Sequence, residues 1–165
     1  MKCIKVIGIG SPFGQDQLGW QVVNQLQQTF VDQSNNYRHI SFIQSDRPGL
    51  RLLDLIKGTD MAILVDAIEK KGCTGQIFKL ERTELLNSDQ PLSSHAVGVS
   101  ETLSLGEVLG DLPEELVLFG MCVDNSMQEP VHEENLEQLC SQIRNYVINS
   151  TQRITLNCNT TRSTS

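Results

Sequence analysis

The chain has 165 residues, with 20 acids against 13 lysines and arginines and a formal net charge of −7; that length suits a single domain able to bury a core unaided. The negative balance excludes the clustered basic face that a nucleic-acid backbone demands, so no nucleic-acid partner is expected. No apolar run approaches the roughly 20 residues of a membrane span, and the sequence opens on a strand-like segment instead of a secretory leader, so a cytoplasmic protein with no membrane partner is expected.

Residues 3–9 (CIKVIGI) read as a first strand, broken by the glycines and proline of Gly8-Ile9-Gly10-Ser11-Pro12-Phe13-Gly14. Over residues 17–31 the apolar side chains Leu18, Val22, Val23, Leu26 and Phe30 return every three or four positions, the spacing of one buried helix face. Residues 39–43 form a short second strand and 50–56 a short second helix. Residues 61–65 (MAILV) are apolar throughout, as expected of a parallel strand covered on both faces, and the strand is expected to end at Asp66.

A glycine-bounded turn at 72–75 leads into residues 76–80, and the polar stretch after them reads as loop. Helix spacing returns over 99–109, a buried strand follows at 116–123, and Leu136, Leu139, Cys140, Ile143 and Val147 stripe a last helix whose Glu133 and Glu134 suit the positive end of its dipole. Strands and helices alternate throughout. The expected fold is α/β, a three-layer arrangement with a mostly parallel sheet sandwiched between helices, over residues 1–150. Residues 151–165 are polar and aperiodic, and a disordered tail is expected there.

Five cysteines, Cys3, Cys73, Cys122, Cys140 and Cys158, are scattered without CxxC spacing, which predicts reduced thiols and no zinc knot. Those in apolar segments, Cys3, Cys122 and Cys140, are expected to pack as small hydrophobes.

The Gly8-x-Gly10 start suits a nucleotide phosphate at a helix N-terminus, but the third glycine of GxGxxG is misplaced and Gln44 stands where the second strand should offer a ribose-binding acid. Glycines that merely turn the chain off the first strand are the plainer reading. Asp16, at the start of the first long helix, reads alone as an N-cap. Asp66 closes a buried strand, where an ionised carboxylate is costly unless a cation, a donor network or a wet cleft receives it. His95, in a polar stretch before a helix, reads alone as a surface or capping residue.

Taken together, Asp16 and Asp66 follow strands at the ends where α/β sheets bind ligands, and the loop carrying His95 can reach the same rim. Two carboxylates and an imidazole suit a divalent metal with positions left open for water or substrate. A serine-hydrolase reading would recruit Ser93 or Ser94 with His95 and Asp66, but the GxSxG elbow is absent, as is the HExxH of zinc proteases.

Four blocks in order resemble the hydrogenase maturation endopeptidases over residues 6–123. Gly8-Ile9-Gly10-Ser11-Pro12 is similar to the family's GxGN loop, Asp16-Gln17-Leu18-Gly19 to its helix start, Leu64-Val65-Asp66-Ala67 to its VDA strand end, and Ser94-His95-Ala96-Val97-Gly98 to its SHxxG block. The resemblance implies the same three-layer fold and an endopeptidase that removes the C-terminal extension of a nickel-iron hydrogenase large-subunit precursor. It implies Asp16, Asp66 and His95 as metal ligands that recognise nickel supplied by that precursor, with no conventional catalytic serine or cysteine. Ser11 in place of Asn, a single acid before the first helix and Gln44-Ser45-Asp46 in place of a DGG-like turn depart from the pattern. A nucleotide-binding α/β module and a non-catalytic nickel-checkpoint chaperone remain alternatives.

Overall fold

The computed structural model describes residues 2–13, 17–32, 37, 39–87, 96–124 and 131–160. Its elements are β1 (Ile4–Gly10), α1 (Leu18–Asp32), β2 (Ile40–Asp46), α2 (Arg51–Ile56), β3 (Met61–Glu69), β4 (Ile77–Glu81), α3 (Arg82–Asn87), α4 (Ala96–Leu109), β5 (Glu115–Val123) and α5 (Glu133–Thr160). One five-stranded sheet runs in the order β2-β1-β3-β5-β4, parallel except for the antiparallel edge strand β4. The all-apolar reading of β3 and β5 holds because these central strands carry helices on both faces.

The faces are divided by the strands' period of two. Met61, Ile63 and Val65 of β3 pack with Leu18, Val22, Leu26 and Phe30 of α1 and with Leu139, Ile143 and Val147 of α5. Ala62 and Leu64 pack the other way, against Leu52 and Ile56 of α2 and Val99 and Leu103 of α4. Each of these large side chains leaves water almost completely, which stabilises the layers by about 1.5–3 kcal/mol apiece before entropy is counted.

Several boundaries differ from expectation. β2 extends three residues past Ile43, because pairing with β1 continues to Asp46 opposite Gly10. β3 does not stop at Asp66; pairing with β5 carries it to Glu69 opposite Val123. The polar stretch after β4 holds a short helix, α3, that buries Leu85. α5 stays helical to Thr160, into the segment expected to be structureless, with the Thr151 hydroxyl donating back to the Val147 carbonyl at 3.1 Å; residues 161–165 lie outside the described residues.

The expectation of reduced thiols is corrected for one pair: Cys73 and Cys122 form a disulfide. Turn Gly72–Gly75 brings Cys73 back over β5, a proximity that no short-range spacing reveals. Cys140 is buried as expected, whereas Cys3 is exposed.

Candidate functional site

Pairing between β1 and β3 ends with Gly8 opposite Val65, while β1 continues beside β2 and β3 continues beside β5. The two strands therefore part at their carboxyl ends, at the point where the strand order reverses and doubly wound sheets open a crevice. Asp66 is the first residue of β3 beyond that pairing. Period-two alternation directs its side chain to the face of Ala62 and Leu64, the α2 and α4 side. The residue is only 3% exposed, and the Ala67 N–H donates to Asp66 Oδ1 at 2.8 Å. A carboxyl group held this way suits an incoming cation, which offsets the desolvation its ionised form suffers.

Two helices start at this rim, one on each face. On the first, α1 lies so close to the sheet that a Cβ on Gly8 would stand 2.1 Å from the Gly19 carbonyl oxygen, and one on Gly19 would stand 2.3 Å from that of Ile9 and 2.7 Å from that of Val65. Glycine at 8 thus serves helix packing, not phosphate approach. On the other face α4 descends from Ala96 to Leu109, and Gly106 lies against Leu53 and Leu112 near the amino ends of the strands. Its first residue, immediately after His95 in sequence, consequently belongs to the carboxyl side of the sheet.

Of the three metal-ligand candidates, Asp66 is the one the structure describes; Asp16 and His95, like Ser93 and Ser94, lie outside the described residues. Among the described residues no group of three or more His, Cys, Asp or Glu side chains is arranged to hold a metal ion. The flanking rim is held by polar contacts between α1 and β2. Trp20 Nε1 donates to the Ser45 carbonyl at 3.3 Å, and Gln44 Nε2 donates to Asn24 Oδ1 at 2.8 Å. β2 ends in an acid after all, Asp46, rather than at Gln44, and its carboxylate faces Arg47 at 3.8 Å.

Two further polar residues are buried at the same edge: Ser11, fully buried in the exit loop of β1, and Asp124, 9% exposed at the end of β5. Sequence reading passed over Asp124, although the apolar run of β5 ends in an aspartate much as the MAILV run of β3 meets Asp66. That shared pattern was the available signal.

The model of the hydrogenase maturation protease family matches residues 20–148. The chain belongs to the hydrogenase maturation protease family. It is 29% identical over 121 residues to the hydrogenase expression/formation protein HupD of Thiocapsa roseopersicina, an alignment covering 72% of this chain but only 53% of that protein. It is 26% identical over 154 residues to the hydrogenase 2 maturation protease of Escherichia coli (strain K12), covering 86% of this chain and 90% of the relative. Among solved structures, the hydrogenase maturating endopeptidase HybD from E. coli superposes with a TM-score of 0.68 at 22% identity, covering 91% of this chain and 94% of that one. HybD from Thermococcus kodakarensis gives 0.61 at 14% identity, over 88% and 99%. At these identities the superpositions show the shared α/β three-layer fold of the family.

Proposed function

We propose that this maturation protease family member is an endopeptidase that removes the C-terminal extension from a nickel-iron hydrogenase large-subunit precursor after nickel insertion. Asp16, Asp66 and His95 read the nickel, which belongs to the precursor and arrives with it. The observation that carries this reading is the buried Asp66 carboxyl at the point where β1 and β3 part, with α1 and α4 starting on either side. The segments bearing Asp16 and His95 are tied in sequence to those two helix starts.

The chemistry favours a checkpoint. Oxygen and imidazole nitrogen donors suit a borderline divalent ion and leave positions for the precursor's own ligands. A precursor without nickel leaves the acidic site without its cation, so docking gains nothing to offset the desolvation of Asp66. A loaded precursor supplies that cation and holds its peptide extension at the same rim. Water then adds to the scissile carbonyl, and the new amine and carboxylate leave as separate chains. At this rim the Ala67 N–H holds one oxygen of the Asp66 carboxyl at 2.8 Å.

No helix among the described residues is long and apolar enough to cross a membrane. Incubation with nickel-loaded precursor, followed by mass spectrometry, tests the reading. Release of the C-terminal peptide supports it, and an uncut precursor after prolonged incubation refutes it.

A further inference from the structure

We propose that Cys73 and Cys122 form a reversible dithiol–disulfide latch that fastens the β3–β4 turn over the carboxyl end of the sheet. The two residues are 49 positions apart, yet their Cα atoms lie 5.7 Å from each other and their sulfurs are bonded, a Cα separation typical of disulfides. Cys122 sits in β5 opposite Ile68, two residues beyond Asp66 on β3. Cys73 belongs to the turn that leads from β3 to β4. The bond therefore joins a surface turn to a core strand at the edge where the candidate site lies.

The same place accommodates the reduced state. The Lys70 carbonyl oxygen lies 3.1 Å from Cys122 Sγ and 3.5 Å from Cys73 Sγ. Sulfurs joined to each other have no proton to give, whereas two thiols both find this one acceptor in place. Reduction thus leaves no new polar group stranded. Backbone bonds would still hold the strand pair, with the Cys122 N–H donating to the Gln76 carbonyl at 2.8 Å and the Gly75 N–H to the Cys122 carbonyl at 2.8 Å.

Access and charge favour exchange at one sulfur. Cys73 is partly exposed and follows the exposed Lys70 and Lys71, whereas Cys122 is fully buried. A thiolate from a dithiol reductant attacks Cys73 Sγ, the Cys73–Cys122 bond breaks, and Cys122 leaves as a thiolate that takes up a proton. The reductant's second thiolate then resolves the mixed disulfide, freeing Cys73 and closing the reductant's own disulfide. Two electrons pass to this chain, and a disulfide oxidant of the same class reverses the step.

The latch matters because, among the described strands, β3 has one pairing partner there. Beyond Val65 its strand pairing is with β5 alone among the described strands, so the disulfide adds a covalent tie to that ladder and to the turn's backbone bonds, such as Lys70 N–H to the Val123 carbonyl at 3.1 Å. Reduction removes the covalent restraint on the segment next to Asp66 and leaves the hydrogen bonds.

The test equilibrates the full chain in oxidised or reduced dithiothreitol and reads both states by non-reducing peptide mapping and amide exchange. Oxidised protein should yield a Cys73–Cys122 cross-linked peptide, two hydrogen masses lighter than the dithiol pair. Amides of residues 67–76 should exchange about tenfold faster or more after reduction, with α1 unchanged. Cys73→Ser, at the partly exposed position, should show the fast exchange in both buffers, while Cys3→Ser should keep the difference. No cross-link under oxidising conditions, or equal exchange of residues 67–76 in the two states, overturns the proposal.

Discussion

Gly19 lies against the carbonyl of Val65, the residue just before Asp66: a side-chain carbon added at Gly19 would come within 2.7 Å of that oxygen and 2.3 Å of the Ile9 oxygen. Helix and sheet meet backbone to backbone, so α1 begins directly beside the strand that carries the buried acid. Neither oxygen belongs to a flexible side chain, and relief requires moving α1 or β3. Gly19→Ala should therefore destabilise the fold by about 2–4 kcal/mol, read as a lower urea midpoint. An unchanged midpoint would show that α1 does not sit this close.

Asp66→Asn keeps the shape of the side chain and an oxygen to accept the Ala67 N–H bond of 2.8 Å, while removing the charge. The metal-free protein should be at least as stable as the parent, because position 66 no longer carries a carboxylate whose ionisation is costly. Cleavage should fall by more than the about 10–100-fold that the loss of a ligand's supporting partner costs. Retained cleavage in a folded D66N protein would remove Asp66 from the site.

His95→Ala should weaken capture of zinc or cadmium, titrated calorimetrically into the precursor-free protein, and should slow cleavage with little effect on the melting temperature. Equal metal binding by parent and variant would argue that the imidazole is no ligand.

Burial, aided by the charge of Glu137, pushes the Cys140 thiol up to about 11. The folded state therefore holds this proton more tightly than the unfolded chain. Its contribution is complete below the unfolded value of 9.0 and is lost as pH rises from there to about 11. Each unit in that window removes up to about 1.4 kcal/mol, so unfolding free energies measured between pH 8 and 11 should fall more steeply for the parent than for Cys140→Ala. Parallel curves would mean that the thiol does not titrate late.

Much of this arrangement was legible in the sequence because it is written in local periodicity. The three-to-four spacing of Leu18, Val22, Leu26 and Phe30 located α1, and the unbroken apolar runs located β3 and β5. What escaped depends on pairing between distant segments. β3 passes Asp66 because β5 keeps pairing with it, and Cys73 reaches Cys122 because β4 turns back antiparallel to β5. α3 escaped because it buries little more than Leu85, too short a stripe to show a period. At the site, the buried end of β3 was readable from Asp66 following MAILV. Asp124 was missed although β5 ends in the same manner. For Gly8 the plainer reading, a glycine that turns the chain off the first strand, left out the close approach of α1, which only the packing of two distant segments shows.

The most direct measurement compares nickel-loaded with nickel-free large-subunit precursor, each incubated with the chain and followed by mass spectrometry over time. The loaded precursor should lose its C-terminal peptide while the nickel-free one stays intact, and D66N should abolish the difference by leaving both uncut. Equal cleavage of the two precursors would contradict nickel reading by Asp16, Asp66 and His95, and failure to cut the loaded precursor would contradict the protease assignment itself.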